Sequence, residues 1–182
     1  TLNGSLSMDG AIDAAGELVN LAGYDVDVRA AVRSPDGALN LTNLDTNGAM
    51  VFGAAQNNAY SVDPSELAYL NEGFSAINIG GANSSNQISF GTATSGDAIV
   101  FRDDVNVSNP VVGGSISLNQ DVTVTGTIRI KGSGFTTFWN GSATVSSSDS
   151  MLIDDSLIIT GAVNAIAGSD GTGNMVLGGQ SW

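Results

Sequence analysis

The chain has no cysteine and no histidine. Without cysteine there is no disulfide to staple loops and no thiol chemistry, although a secreted repeat protein whose coils pin one another does not need disulfides. Without histidine no imidazole can activate a serine, so Ser146-Ser147-Ser148-Asp149-Ser150 reads as a loop and not as a nucleophile site. Basic residues are scarce: Arg29, Arg33, Arg102, Arg129 and Lys131 face 18 acidic residues, for a formal charge of −13. Nucleic acid and anionic membrane surfaces, which need a basic face, are disfavoured as partners. No segment approaches the roughly 18 unbroken apolar residues of a membrane helix, which argues against membrane insertion. Thr1-Leu2-Asn3-Gly4 lacks a basic and then apolar leader, so any export signal lies outside this sequence.

What is present is β-patterning. Short runs alternate apolar with small polar residues: Gly4-Ser5-Leu6-Ser7-Met8, Asp25-Val26-Asp27-Val28, Ala38-Leu39-Asn40-Leu41, Ala76-Ile77-Asn78-Ile79-Gly80, Gln87-Ile88-Ser89-Phe90, Ser115-Ile116-Ser117-Leu118, the run Val122 to Ile130, and Asn174-Met175-Val176-Leu177. Period two, β-branched residues and flanking turn residues mark these as strands. Turn signals include Pro35-Asp36-Gly37, Thr46-Asn47-Gly48, Asn57-Asn58, Gly132-Ser133-Gly134 and Asp170-Gly171-Thr172-Gly173. Hydrophobic residues make up 42% of the 182 positions and charged residues 13%, which describes a folded chain with a polar, mostly uncharged skin.

The recurrence of strands suits an irregular coil of about 20 to 25 residues. Residues 1–182 are therefore expected to form one all-β domain, a β-solenoid of roughly seven or eight coils spaced about 4.8 Å apart. An internal echo supports stacking: Asp103-Asp104 and Asp154-Asp155 sit in similar surroundings 51 positions apart. One segment departs from the pattern. Asp63 at an N-cap, Pro64, Glu66 and Gly73 supply helix boundary signals, so a short helical insert is expected near residues 64–72, with Leu67 and Leu70 packed on the solenoid.

The string from Leu67 to Gly81, Leu-Ala-Tyr-Leu-Asn-Glu-Gly-Phe-Ser-Ala-Ile-Asn-Ile-Gly-Gly, resembles an element of large bacterial surface adhesins of the filamentous-haemagglutinin-like type. The stretches Val122 to Gly134 and Ile153 to Ile159 resemble repeats of the same proteins. The resemblance implies a right-handed parallel β-helix, extracellular and at the cell surface. It also implies an adhesive or structural role, with the chain a segment or subunit of a longer assembly. It transfers no catalytic residue.

Site chemistry reads thinly. Carbohydrate-active β-helices gather acids and bases on one face, yet here only Arg102 adjoins a carboxylate pair, Asp103-Asp104, which reads as a salt-linked turn. The chain is not expected to be an enzyme, and no catalytic, cofactor or metal residue is assigned. Calcium would require Asp103, Asp104, Asp154 and Asp155 to meet, which needs the 51-residue interval to be a whole number of turns. The strict Gly-Gly-x-Gly-x-Asp nonapeptide is absent. Thr123, Thr125 and Thr127 form one row on a single strand, too few for an ice-binding face. Tyr24, Tyr60, Tyr69, Trp139 and Trp182, with exposed Asn, Ser and Thr, are candidates for contacting surface glycans. The expected partners are thus copies or neighbouring solenoid segments meeting end to end, and glycans. The alternative is a carbohydrate-binding or carbohydrate-active β-helix domain.

Overall fold

Alternating side chains become a solenoid when each strand finds its partner one coil away, because the apolar set of every coil then lines a single column. The computed structural model describes residues 4–56, 59–70, 73–81, 87–92, 97–108, 113–169 and 172–178. Every strand pairing among them is parallel.

The first coil is β1 (Ser5–Met8), β2 (Ile12–Asp13) and β3 (Val19–Gly23), and the second is β4 (Asp25–Val28), β5 (Val32–Arg33) and β6 (Ala38–Asn43). Then come β7 (Ala49–Phe52), β8 (Tyr60–Val62), the helix α1 (Pro64–Leu67) and β9 (Ala76–Gly80). The fourth coil is β10 (Gln87–Phe90), β11 (Ile99–Phe101) and β12 (Val105–Ser108). The remaining strands are β13 (Ser115–Leu118), β14 (Val122–Val124), β15 (Ile128–Trp139), β16 (Thr144–Ser147), β17 (Met151–Ile159), β18 (Asn164–Ala167) and β19 (Met175–Leu177).

Three faces result. The first runs β3, β6, β9, β12, the start of β15, the start of β17, then β19; its partners Val19, Leu39, Ile77, Val105, Ile128, Met151 and Met175 recur after 20, 38, 28, 23, 23 and 24 residues. The second face carries β7, β10, β13 and the later halves of β15 and β17. The third carries β11, β14, β16 and β18. Because β15 and β17 continue round the corner without a break, the first two faces join into one sheet of 11 strands.

The column inside is apolar. Leu39, Ile77, Val105, Ile128 and Met151 are each at most 1% exposed, and burying such a side chain contributes about 1.5–3 kcal/mol. At mid-height Phe52, Phe90 and Phe101 form an aromatic trio, with Phe52 and Phe90 stacked at 5.5 Å and Phe90 edge-on to Phe101 at 6.2 Å.

The third level is where local rules yield to packing. β7 is ten residues ahead of β8 yet lies parallel to it, Met50 beside Tyr60, with β10 on its other side. β8 in turn packs beside β4. The chain therefore climbs one level, drops back to fill the gap, and then resumes. The expected helix over 64–72 is confined to Pro64–Leu67: its capping box is complete, with Asp63 and Glu66 bonding reciprocally, but Ala68 is already the C-cap. Leu70 instead makes a parallel bridge to Val32, so coil-to-coil pairing captures the chain before a second helical turn forms. Residues 71–72 lie outside the described residues. Gly73, expected to end the helix, instead donates its N–H to Asp103 Oδ1 at 2.9 Å. Leu67 and Leu70 are core residues, at 5% and 3% exposure.

The run Val122 to Ile130 is two strands, not one. The chain turns a corner at Gly126, whose φ of 117° suits glycine and whose added Cβ would lie 2.3 Å from Asp104 Oδ1. Thr127, expected on a wet row with Thr123 and Thr125, is consequently 2% exposed. Conversely, Gly132-Ser133-Gly134, expected as a turn, lies within β15, where the register with β17 shifts between Lys131 and Thr136. Asn57-Asn58 and Asp170-Gly171 lie outside the described residues.

Candidate functional site

Three features stand out from the regular stack: a groove beside the third level, side-chain ladders along the faces, and the exposed apolar side chains of the last described coil.

The groove, about 600 Å³, lies between β4 and the β8–α1 segment. Between these two elements carboxylates take the place of ladder partners. Val28 donates its N–H to Glu66 Oε1 at 2.9 Å, Ser61 donates to Asp25 Oδ1 at 3.2 Å, and Asp63 donates to Glu66 Oε2 at 2.7 Å. Burial raises the Glu66 carboxyl above its ordinary value, against the lowering pull of the Asp63 and Val28 N–H groups, while the charges of Asp63 and Asp27 push it further up. Burial also pushes Asp63 up, but the Ser65 hydroxyl and the backbone N–H groups of Glu66 and Ser65 outweigh it and the net shift is down. Arg29 answers part of this acidity by pairing with Asp27 and, at 3.3 Å, with Asp9 of the coil below. Tyr69, 41% exposed, stands at the groove wall. Both Glu66 oxygens are thus occupied by backbone donors, and its chemistry is that of a joint between coils.

The aspartate pairs do not meet. Val105, Ile128 and Met151 are successive partners, so two turns span 46 residues there and the place of Asp104 is taken by Thr127 and then Ser150. Asp154 and Asp155 lie on β17 at a different corner, beside Lys131. Asp104 accepts from the Thr127 N–H at 2.8 Å and pairs at 3.2 Å with Arg129 of the next coil, so the expected salt-linked turn with Arg102 is replaced by a link between coils. Among the described residues no group of three or more acidic side chains is placed to share a metal ion.

Of the aromatic glycan candidates, Tyr60 and Trp139 are fully buried. The Tyr60 hydroxyl donates to the Leu21 carbonyl at 2.9 Å and the Trp139 indole N–H to Ala143 O at 3.0 Å. Tyr24 and Tyr69 remain exposed, at 39% and 41%, and Trp182 lies outside the described residues.

An asparagine ladder climbs the outside of the first face. Asn40 donates to Asn20 at 2.7 Å, Asn78 to Asn40 at 2.9 Å and Asn106 to Asn78 at 3.0 Å. The signal was in the sequence as Val19-Asn20-Leu21, Leu39-Asn40-Leu41, Ile77-Asn78-Ile79 and Val105-Asn106-Val107, an asparagine between two inward apolar residues four times over. A second ladder joins Thr160 to Asn140, Asn140 to Asn119, and Asn119 to Ser89.

The last coil is different. Ile158, Ile159, Ile166, Met175, Val176 and Leu177 are all between 38% and 50% exposed. By register Met175 and Leu177 continue the inward positions Met151 and Ile153, and Ile159 continues Trp139, so these three are inward positions that no further strand covers among the described residues. Among the described residues, no helix is long and apolar enough to cross a membrane. No protein-family model, no curated protein and no solved structure matches the chain.

Proposed function

We propose that the chain is a structural and adhesive element of an extracellular surface fibre, a right-handed β-helix whose coils extend or build the fibre along its axis. The observation that carries the reading is the continuous first-face ladder from Val19 to Met175, outside which asparagine side chains bond coil to coil. A rod of this kind resists lateral disruption because backbone and side-chain bonds repeat at every level. Its charge of −13 keeps it soluble and repels anionic surfaces. The resemblance to filamentous-haemagglutinin-like repeats agrees with this reading. Electron microscopy of the purified chain across a concentration series tests it: straight rods or filaments with a strand repeat of about 4.8 Å along the axis support the fibre role, and compact globules refute it.

A second reading, a carbohydrate-binding or carbohydrate-active domain, is favoured by one observation, the acidic groove with Tyr69 on its wall. The engagement of Glu66 by two backbone N–H groups and of Asp27 by Arg29 favours binding over turnover. Incubation with neutral polysaccharides, assayed for both retention and new reducing ends, separates the two.

A further inference from the structure

The asparagine ladder on the first face also lines a second groove. About 390 Å³ in volume, it passes Asn40, Asn78 and Asn106, has Thr42 and Ser108 at its side, and is overhung by Lys131. Its shape follows from one residue. Gly80 is the partner of Ser108 and follows Ile79, the partner of Leu41, so the column Thr42, Gly80, Ser108 has no side chain at its middle level. Glycine is required there, because φ is 84° and an added Cβ would lie 2.2 Å from the Ser108 carbonyl oxygen.

Amides and hydroxyls dominate the lining. Asn40 and Asn78 each donate once and accept once within the ladder, so each keeps one amide N–H and one carbonyl lone pair; Asn106, which only donates, keeps one N–H and both lone pairs. The ladder orders these groups before any ligand arrives, which lowers the cost of binding. Its rungs repeat about every 4.8 Å along the axis, about the length of one sugar ring. Ile79, the one large apolar residue at the groove, is only 1% exposed, so an apolar peptide side chain finds no anchor. A ligand rich in hydroxyls fits.

Charge narrows the class further. β3, β6, β9 and β12 contain no charged residue, and β15 then adds Arg129 and Lys131. Arg129 is paired with Asp104 at 3.2 Å. Lys131, the only lysine, is exposed and lies in register with Asp154, yet among the described residues it forms no ion pair and lines the groove instead. One such cation above an uncharged amide surface matches a single negative charge. A densely anionic chain would set further charges against Asp104, Asp154 and a protein of net charge −13.

Resting on the adhesive reading above, we propose that this groove binds an acidic saccharide of a surface or matrix glycan, a uronate whose carboxylate meets Lys131 Nζ and whose hydroxyls bond the amides of Asn78 and Asn106. The glycan lies along the axis, the direction in which the amides repeat, so that the neighbouring sugar meets Asn40.

Calorimetric titration tests this with a tetrasaccharide of alternating glucuronate and N-acetylglucosamine, beside the same tetrasaccharide with its carboxyls reduced to alcohols. The acidic form is expected to bind about tenfold tighter than the reduced form. Lys131→Gln should erase that difference and Lys131→Arg should keep it. Thr42→Trp, an outward change on β6 that fills the groove and leaves the core untouched, should abolish binding of both forms. Tyr69→Ala, at the wall of the acidic groove, should change neither. An unaltered circular dichroism spectrum and urea midpoint show that each variant is folded. Equal binding of the two forms, or full affinity in Lys131→Gln or Thr42→Trp, overturns the proposal. Loss in Tyr69→Ala alone overturns it too and places the glycan in the acidic groove. Absence of binding by either form also overturns it, and retention of the chain on cell layers then judges the adhesive reading separately: a chain that still adheres leaves that reading standing, and one that does not removes it.

Discussion

The Glu66 carboxylate accepts the backbone N–H of Val28, thirty-eight positions earlier, at 2.9 Å, and with its other oxygen accepts the N–H of Asp63 at 2.7 Å. One side chain thereby caps a helix and joins two coils where β8 has dropped back beside β4. Glu66→Ala leaves both donors without this acceptor and is expected to destabilise the chain by about 1–3 kcal/mol, read as a lower urea midpoint. Glu66→Gln, which retains one acceptor oxygen, should lose less.

The same residue sets a pH dependence. Its carboxyl is raised above the ordinary value, chiefly by burial, so between its unfolded and folded values the native state holds more protons than the unfolded state. Its contribution therefore rises as pH falls through the raised folded value and levels off below the unfolded one. Asp63, lowered on balance, acts oppositely: its stabilisation is present above the unfolded value and is lost as pH falls through the lower folded value. Denaturant midpoints from pH 7 to 3, compared with Glu66→Gln, should show the first slope vanish and the second remain.

Removing Phe90, which is fully buried and touches both other rings of the aromatic trio, opens a cavity at the level where the fourth coil begins. Phe90→Ala is expected to cost about 3–5 kcal/mol. Phe90→Leu should cost distinctly less, as measured by equilibrium unfolding.

Asn78 is the middle rung of the outer ladder, donating to Asn40 and accepting from Asn106. Asn78→Ala loses two partly exposed side-chain bonds and should lower stability by about 1 kcal/mol. Asn78→Asp still accepts from Asn106 but has no donor for Asn40, and sets an anion against its oxygen. It should fall below the alanine variant at pH 7 and recover on acidification, a crossing that thermal melts at two pH values will reveal.

At the corner before β15, Gly126→Ala forces a side chain onto a backbone of φ 117° and into Asp104 Oδ1. A loss of about 1–3 kcal/mol is expected. Displacing Asp104 also breaks its pair with Arg129, so Asp104→Ala combined with Gly126→Ala should cost less than the sum of the two single changes.

Strand existence was legible because alternation is local: Asp25–Val28, Ala76–Gly80, Gln87–Phe90 and Ser115–Leu118 are strands over the very residues the pattern marks. That α1 is the only helix among the described residues, and a short one, agrees with the same pattern. The Φ-Asn-Φ triplets also held the outer ladder, since an asparagine between two inward residues must point outward and meet its counterpart one coil away. By itself, then, the amino-acid order determined an all-β chain with inward and outward residues assigned along most strands.

What only the tertiary structure decided is which coil lies above which. The aspartate echo at 51 residues and the true two-turn interval of 46 residues between Val105 and Met151 differ by less than the variation among turn lengths. Corner loops lengthen and shorten freely on the surface, so spacing along the chain does not measure height along the axis. The reversed order of β7 and β8, the capture of Leu70 by Val32 and the turn at Gly126 arise likewise from pairing and burial between residues distant in sequence. There the gain from filling the column outweighs local propensity.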